Sequence, residues 1–314
     1  MTVVEDPPDV VPEARRRLRV HVRLPKRLRL PARPRPTPRR RVVTGVIVCT
    51  AVVAAWAVIY GVVLSSFQEW RDQHVGYDTL REQLAEETAP LGGLIRPGAP
   101  VALLSIPALE LHDLVVVEGT TSGDLIAGPG HRRDTPLPGQ AGVSVVYGRE
   151  STFGGPFENV GTLARGDAIA VVTGQGRFTY RVIDIRRAGD RFPQPVQPGH
   201  GRLTLVSAEG ASWRSVWAPT GVVYVDADLA GTSVPAPPGR PAAVPAAEQA
   251  MSIDTSVLVQ LVLWLFLLVA VASTYVVSWV YWGTWQTWVV GVPALLACLW
   301  GVTSVAVQLM PNLM

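Results

Sequence analysis

Three apolar runs decide which parts of this chain can fold in water. Residues 42–64, 255–282 and 285–310 contain no Asp, Glu, Lys or Arg. Each exceeds the roughly 20 residues that an α-helix needs to cross about 30 Å of hydrocarbon. A cleaved secretion signal would explain the first run, but such signals have a shorter apolar core of about 7–15 residues, and no A-x-A cleavage pattern follows here. A buried helical hairpin in a soluble domain would explain the last two, although their length and lack of charge favour membrane spans. The sequence therefore predicts transmembrane helices over 42–65, 254–282 and 285–310. Composition agrees, because 48% of residues are hydrophobic and only 17% charged, and the apolar ones are bunched into these runs.

Charge orients the spans. Residues 1–41 carry 13 basic and four acidic residues, a balance of +9, while the remainder carries 15 against 21, or −6. A basic arm directly before an apolar span stays cytoplasmic under the positive-inside rule. The region after the first span is then expected outside the cell, with the N-terminus inside and the end of the third span outside. The turn between the last two spans has no Lys or Arg. Its Tyr281, Trp282, Trp285 and Trp288 read as interfacial anchors. The arm at 1–41 is interrupted by Pro25, Pro31, Pro34, Pro36 and Pro38 and has no aromatic residue for base stacking. It is read as a solvated topology determinant near anionic lipid, and nucleic acid is not expected as a partner.

Between the spans, residues 66–90 are polar and helix-prone. Trp70, Gln73, Tyr77, Leu80 and Leu84 recur at spacings of three and four, predicting a stalk helix that packs one face on the domain. Residues 232–253 are a Pro/Ala-rich linker, too poor in large apolar residues to build a core. This leaves 91–231, about 140 residues, ample for one core. Short β-rich runs punctuated by Gly and Pro fill it: 168–173 and 178–187 around a Gly174 turn, then 203–207 and 222–229. That pattern predicts an all-β barrel or sandwich without choosing between them.

Six ordered segments choose. Residues 142–157 read GVSVVYGRESTFGGPF and residues 203–208 read LTLVSA; 100–121, 124–131 and 135–142 hold an I-P-x-L step into V-V-V-E-G, an L-I-A-G-P-G-H run and a T-P-L-P-G-Q-A-G run, and 222–229 reads VVYVDADL. Together they resemble the sortase family over roughly 90–230, most closely actinobacterial class E. The resemblance implies an all-β sortase-like barrel outside the cell plus α-helical membrane spans, one N-terminal and two C-terminal.

A sortase attacks a sorting peptide with a Cys thiolate, uses a His as acid and steadies the oxyanion with an Arg. Along the resemblance the Cys position falls on Ala208, the His position on Arg149 and the Arg position on Val222, or on Gly221 if the match slips by one. Ala208 has no nucleophile, and Arg149 stays protonated and cannot shuttle protons. No catalytic residue is therefore assigned. The vestigial positions are Arg149, Ala208 and Val222, and the candidate groove adds Arg214 from the loop before the last strand. Arg149 has two readings, a surface residue paired with Glu150 or Glu158, or a grip on a carboxylate in the emptied groove. Cys49 and Cys298 lie within expected spans. Ser207 neighbours Ala208 but should face away, because adjacent strand residues point to opposite faces. His131, in the G-P-G-H run, is read as structural. No metal or cofactor is expected, since the five histidines show no ligand spacing.

The expected function is a membrane-anchored, extracellular sortase-like pseudoenzyme that binds or helps assemble a cell-surface peptide or protein, with lipid contacts through three spans. Two alternatives stand beside it. One is an active, cysteine-independent transpeptidase or peptidase with relocated residues. The other is a membrane assembly factor working through its C-terminal spans.

Overall fold

A computed structural model describes residues 54–56, 58–60, 64–209, 221–281 and 284–314. The basic arm at 1–41, most of the first expected span with Cys49, and the groove candidate Arg214 lie outside the described residues.

Eight strands close into a barrel: β1 (Pro100–Ile106), β2 (Leu111–Glu118), β3 (Gly130–His131), β4 (Gly142–Tyr147), β5 (Ala168–Thr173), β6 (Gly176–Arg186), β7 (Gly201–Glu209) and β8 (Gly221–Leu229). Their order around the barrel is β1-β2-β3-β4-β7-β8-β6-β5. The pairs β2–β3 and β4–β7 are parallel; the others are antiparallel. Closure removes the unpaired edges that an open sheet would expose. The hairpin expected around Gly174 forms with Thr173 opposite Gly176.

Strand alternation separates a core from an outer face. Leu203 and Leu205 of β7 and Val223, Val225 and Ala227 of β8 join Ile106, Val146, Phe157, Ile169 and Tyr180 inside the barrel. Val206 and Ala208 of β7, with Val222 and Tyr224 of β8, point the other way. Yet β7 is buried from Gly201 through Ala208, because chain from outside the barrel covers its outer face as well. A strand covered on both sides tolerates a nearly continuous apolar run, which is what LTLVSA is.

Gly139 of the T-P-L-P-G-Q-A-G run lies where only glycine fits. Its φ is +94°, and a Cβ there would sit 2.2 Å from the Phe178 ring. Its backbone N–H donates to the Tyr180 hydroxyl, tying this loop to the core.

Helix α1 (Ser65–Ala85) packs on the β1–β2 side, burying Leu80 with Tyr77 and Leu84 against Leu103, Val115 and Val117. Gln73 fixes the helix to the sheet: its Oε1 accepts from the Val115 N–H at 2.8 Å, and its Nε2 donates to the Val115 and Ala127 carbonyls at 3.0 and 2.7 Å. Trp70 departs from the expected packing face. It is largely exposed and packs on Phe67 and on the His74 ring, 4.2 Å between centroids.

Helices α2 (Leu258–Tyr281) and α3 (Thr284–Ala306) are long and apolar enough to cross a membrane, and side chains such as Val259, Leu263 and Phe266 face outward. That exposure opposes the reading of a hairpin buried in a soluble core. Trp285 of the expected anchors is exposed; the side chains of Tyr281, Trp282 and Trp288 lie outside those described. Among the helical residues before α1, Trp56 donates to Thr303 at 2.9 Å and Tyr60 stands edge-on to Trp300, both on α3.

The linker builds no core, but polar contacts lay it along the barrel. Val234 bridges Gln140, Arg240 pairs with Glu118 at 2.8 Å, and Arg133 pairs with the buried Glu248. Glu248 also offers its carbonyl to Thr120 at 2.7 Å.

Candidate peptide groove

The outer face of β4, β7 and β8 brings two of the expected site residues together. Ala208 and Val222 are direct partners across the β7–β8 ladder. Ser207 turns toward the barrel interior with Leu203 and Leu205, and its hydroxyl finds no hydrogen-bond partner among the described residues. It cannot stand in for a nucleophile on the opposite face.

Arg149 lies just past β4, where Gly148 allows the chain to pass under Phe157; a Cβ on Gly148 would lie 2.3 Å from that ring. The expectation of a surface arginine is corrected here, for Arg149 is 0% exposed. Its five hydrogen bonds go to backbone oxygens and side-chain hydroxyls. Nε reaches the Leu125 carbonyl at 3.2 Å, Nη2 reaches the Ser122 carbonyl and hydroxyl at 2.8 and 2.9 Å, and Nη1 reaches the Thr152 hydroxyl at 3.0 Å and the Met314 carbonyl at 2.9 Å. The guanidinium also sits 5.1 Å from the centre of the Phe153 ring. Phe153 adopts φ +50°, uncommon for a bulky residue, and is buried against Ile126, Trp56 and Val307. Burial pulls the Arg149 pKa down to about 10, which leaves it cationic at neutral pH. Among the described residues the groove floor therefore presents no free positive charge: the donors of Arg149 are spent on chain oxygens.

Part of the groove is filled by the chain itself. Leu313 is fully buried with Leu125, Tyr147, Val206 and Ala208, and Val222, Ala250 and Met251 close around that group. Its carbonyl accepts the Glu150 N–H at 3.0 Å. Asn312 donates from Nδ2 to the Thr120 and Gln249 carbonyls at 2.8 and 2.9 Å. Neither residue was foreseen from sequence, although Pro311 after a charge-free run was a signal that the helix stops and the chain goes elsewhere.

Beyond Leu313 the same face stays open as a cleft of about 510 Å³, floored by Val145, Tyr147, Val206 and Tyr224 and rimmed by Arg132 and Arg186. Both rim arginines are paired, Arg132 with Asp134 at 2.8 Å and Arg186 with Asp226. Asp226 also accepts the Thr204 hydroxyl at 2.7 Å. Burial holds the Tyr147 phenol above its usual pKa despite the nearby Arg132.

His131 stands apart from the groove. Its Nδ1 meets Glu118 at 2.9 Å and its Nε2 meets the Pro136 carbonyl at 2.9 Å. With both nitrogens occupied inside a fully buried network, it is a structural residue. Burial would raise the Glu118 pKa, but hydrogen bonds and charge from His131 and Arg240 win and hold it below the usual carboxylate value.

Comparison with known proteins shows what the chain is similar to. Residues 104–214 match the model of the sortase domain. Sortase D of Bacillus subtilis (strain 168) is 34% identical over 86 residues, which cover 27% of this chain and 41% of that protein. Among solved structures, a Clostridium perfringens Sortase D5 transpeptidase superposes with a TM-score of 0.42 at 22% identity, over 51% of this chain and 99% of the other. The SrtA sortase from Actinomyces oris gives 0.39 at 24% identity, over 45% of this chain and 85% of the other. Residues 104–214 are thus similar to a sortase domain, and the chain spans less than half the length of the curated relative it matches.

Proposed function

We propose that the chain is a membrane-anchored, sortase-like pseudoenzyme that binds an extended peptide segment of a cell-surface protein without covalent chemistry. One observation carries the reading: the position of the nucleophile is Ala208, faced by Val222, beside an Arg149 whose donors are taken by the chain's own backbone and hydroxyl oxygens. Acyl transfer needs a nucleophile, an acid, and donors aimed where negative charge develops. None of the three stands on this face among the described residues. Cys298, in α3, is the only described cysteine, and His131 is committed to Glu118. What remains is a cleft bounded by strands, with aliphatic and tyrosine side chains on its floor and arginines on its rim, a shape suited to an extended peptide.

The placement follows from the basic arm and the helices. A cytoplasmic arm at 1–41 and three crossings put the barrel on the outer surface. The residues just before α2 and just after α3 are bonded to each other and to the barrel, as expected if both helices meet the membrane on the barrel's side. The L-I-A-G-P-G-H and T-P-L-P-G-Q-A-G runs support an actinobacterial class E type.

The test uses the full chain in detergent with quenched L-P-x-T-G and L-A-x-T-G reporter peptides, followed by intact mass. No turnover and no acyl adduct are expected. Turnover of either reporter would overturn the reading. Protease added to intact protoplasts tests placement: it should destroy the barrel and spare an amino-terminal tag, and the reverse would invert the orientation.

A further inference from the structure

The segment that follows α3 sits in the groove as a bound peptide would. After a short turn the backbone becomes extended at Met310, with φ −81° and ψ 153°. The next residues form a tight turn, closed by the Met314 N–H on the Pro311 carbonyl at 3.1 Å. Asn312 is held by its side-chain amide on Thr120 and Gln249, Leu313 puts its side chain among Leu125, Val206 and Ala208, and the carbonyls of Leu313 and Met314 accept from Glu150 and Arg149. Backbone bonds that hold a segment and a pocket that reads one of its side chains are general features of peptide recognition.

Two further observations set this apart from ordinary packing. The contacts fall on the positions where the family resemblance places its chemistry: Arg149 and Ala208, with Val222 alongside. The groove also continues past Leu313 into the open cleft floored by Tyr147, Val206 and Tyr224, which residues 311–314 leave unfilled.

We infer that residues 311–314 are an intramolecular ligand of the groove, and that a partner peptide must displace them. The partner is a segment with an Asn followed by a branched apolar residue in the same turn, its side chain filling the subsite over Ala208 and its next backbone oxygen held by Arg149. The open cleft is where such a segment first lands, before Leu313 leaves. The partner's chemistry rests on the binding reading proposed above; the seating of Leu313 does not. A ligand tethered by a few residues competes at an effective concentration on the order of 1 mM, so micromolar partners are excluded until the segment lifts.

The experiment takes the full chain in detergent, with a fluorescein-labelled peptide of sequence QLMPNLM as probe. In Leu313→Asp the segment should leave the subsite, because a carboxylate will not remain among Leu125, Val206 and Ala208. Two results are then expected. Hydrogen exchange at the Glu150 amide should accelerate by about tenfold or more while the β5 amides stay protected. The labelled peptide, excluded by the unaltered chain, should bind the variant about tenfold or more tightly, and QLMPNDM should not bind. Unchanged protection at Glu150 in Leu313→Asp would overturn the seating. Faster exchange without uptake of QLMPNLM, or equal uptake of QLMPNDM, would overturn the ligand assignment. Should β5 also lose protection, Leu313→Ala gives the same two readings with a smaller disturbance. A reporter turned over by the chain would defeat the non-covalent reading and leave the exchange result standing, so the two can fail separately.

Discussion

Ala208 stands directly across the β7–β8 ladder from Val222, and Leu313 packs into the same apolar group. Restoring a thiol there should not restore chemistry. Ala208→Cys places the sulfur under Leu313 in apolar surroundings, which raise a thiol pKa and keep it inert. The expected outcome is no reporter turnover and slow maleimide labelling. Labelling should rise by about tenfold or more when Leu313→Asp is added, since the rate then follows an open rather than a covered site. Fast labelling of the single variant would mean that Leu313 does not shield Ala208.

Arg149 should matter for stability. It carries five hydrogen bonds with no exposed surface, and its removal orphans the Ser122 and Leu125 carbonyls. Arg149→Ala should cost about 2–5 kcal/mol, within the range for breaking a buried polar network. At about 2–4 °C per kcal/mol for a unit of this size, a melt of the full chain in detergent resolves it easily. A loss below about 0.5 kcal/mol would show that these bonds add nothing net.

The family resemblance made the barrel legible because its segments carry packing information that survives at the level of residue type: Gly139 beneath Phe178, Gly148 beneath Phe157, and alternating aliphatics in β7 and β8. The two vestigial positions on adjacent strands, Ala208 and Val222, meet in the structure because strand pairing is local once the register is set. Arg149 was harder to place. A charged residue after a strand reads as surface by default, and its burial depends on Ser122 and Met314, which lie 27 and 165 residues away along the chain. Trp70 fooled the helical spacing for a related reason. The rotation of α1 is fixed by the Gln73 amide on Val115 and Ala127, a polar contact to which hydrophobic periodicity is blind.

Glu69 should make the chain less stable toward alkaline pH. Burial lifts its carboxyl to about 7, Asp72 pushes the same way, and His74 only partly offsets them. Its folded pKa is raised, so its contribution is fully present below the unfolded value and is lost as pH rises through about 7. Glu69→Gln should then gain about 1–2 kcal/mol at pH 8, discounted for partial exposure, and nothing at pH 4. Equal effects at both pH values would remove the titration argument.

Arg240 should govern the acid side. Glu118 is held low by His131 and Arg240, so its contribution is present above the usual carboxylate range and is lost as pH falls through its depressed value. Arg240→Ala removes one of the two partners, so acid unfolding should begin at a higher pH. At pH 7 the loss should be about 1–3 kcal/mol, with His131 still bonded to the carboxylate. Tryptophan fluorescence across an acid titration measures both. An unmoved midpoint would mean that the linker does not stabilise the barrel through this pair.

Ser122 bonds to Arg149 through Nη2 and contacts the Val307 carbonyl at 3.4 Å, while Leu313 follows α3 by only a few residues. The groove's cover is thus geared to a helix. One turn of axial travel in α3, about 5.4 Å, is a stroke longer than a leucine side chain, enough to draw Leu313 off Ala208. A helix partner that never touched the barrel could in this way decide whether the groove stands open or shut.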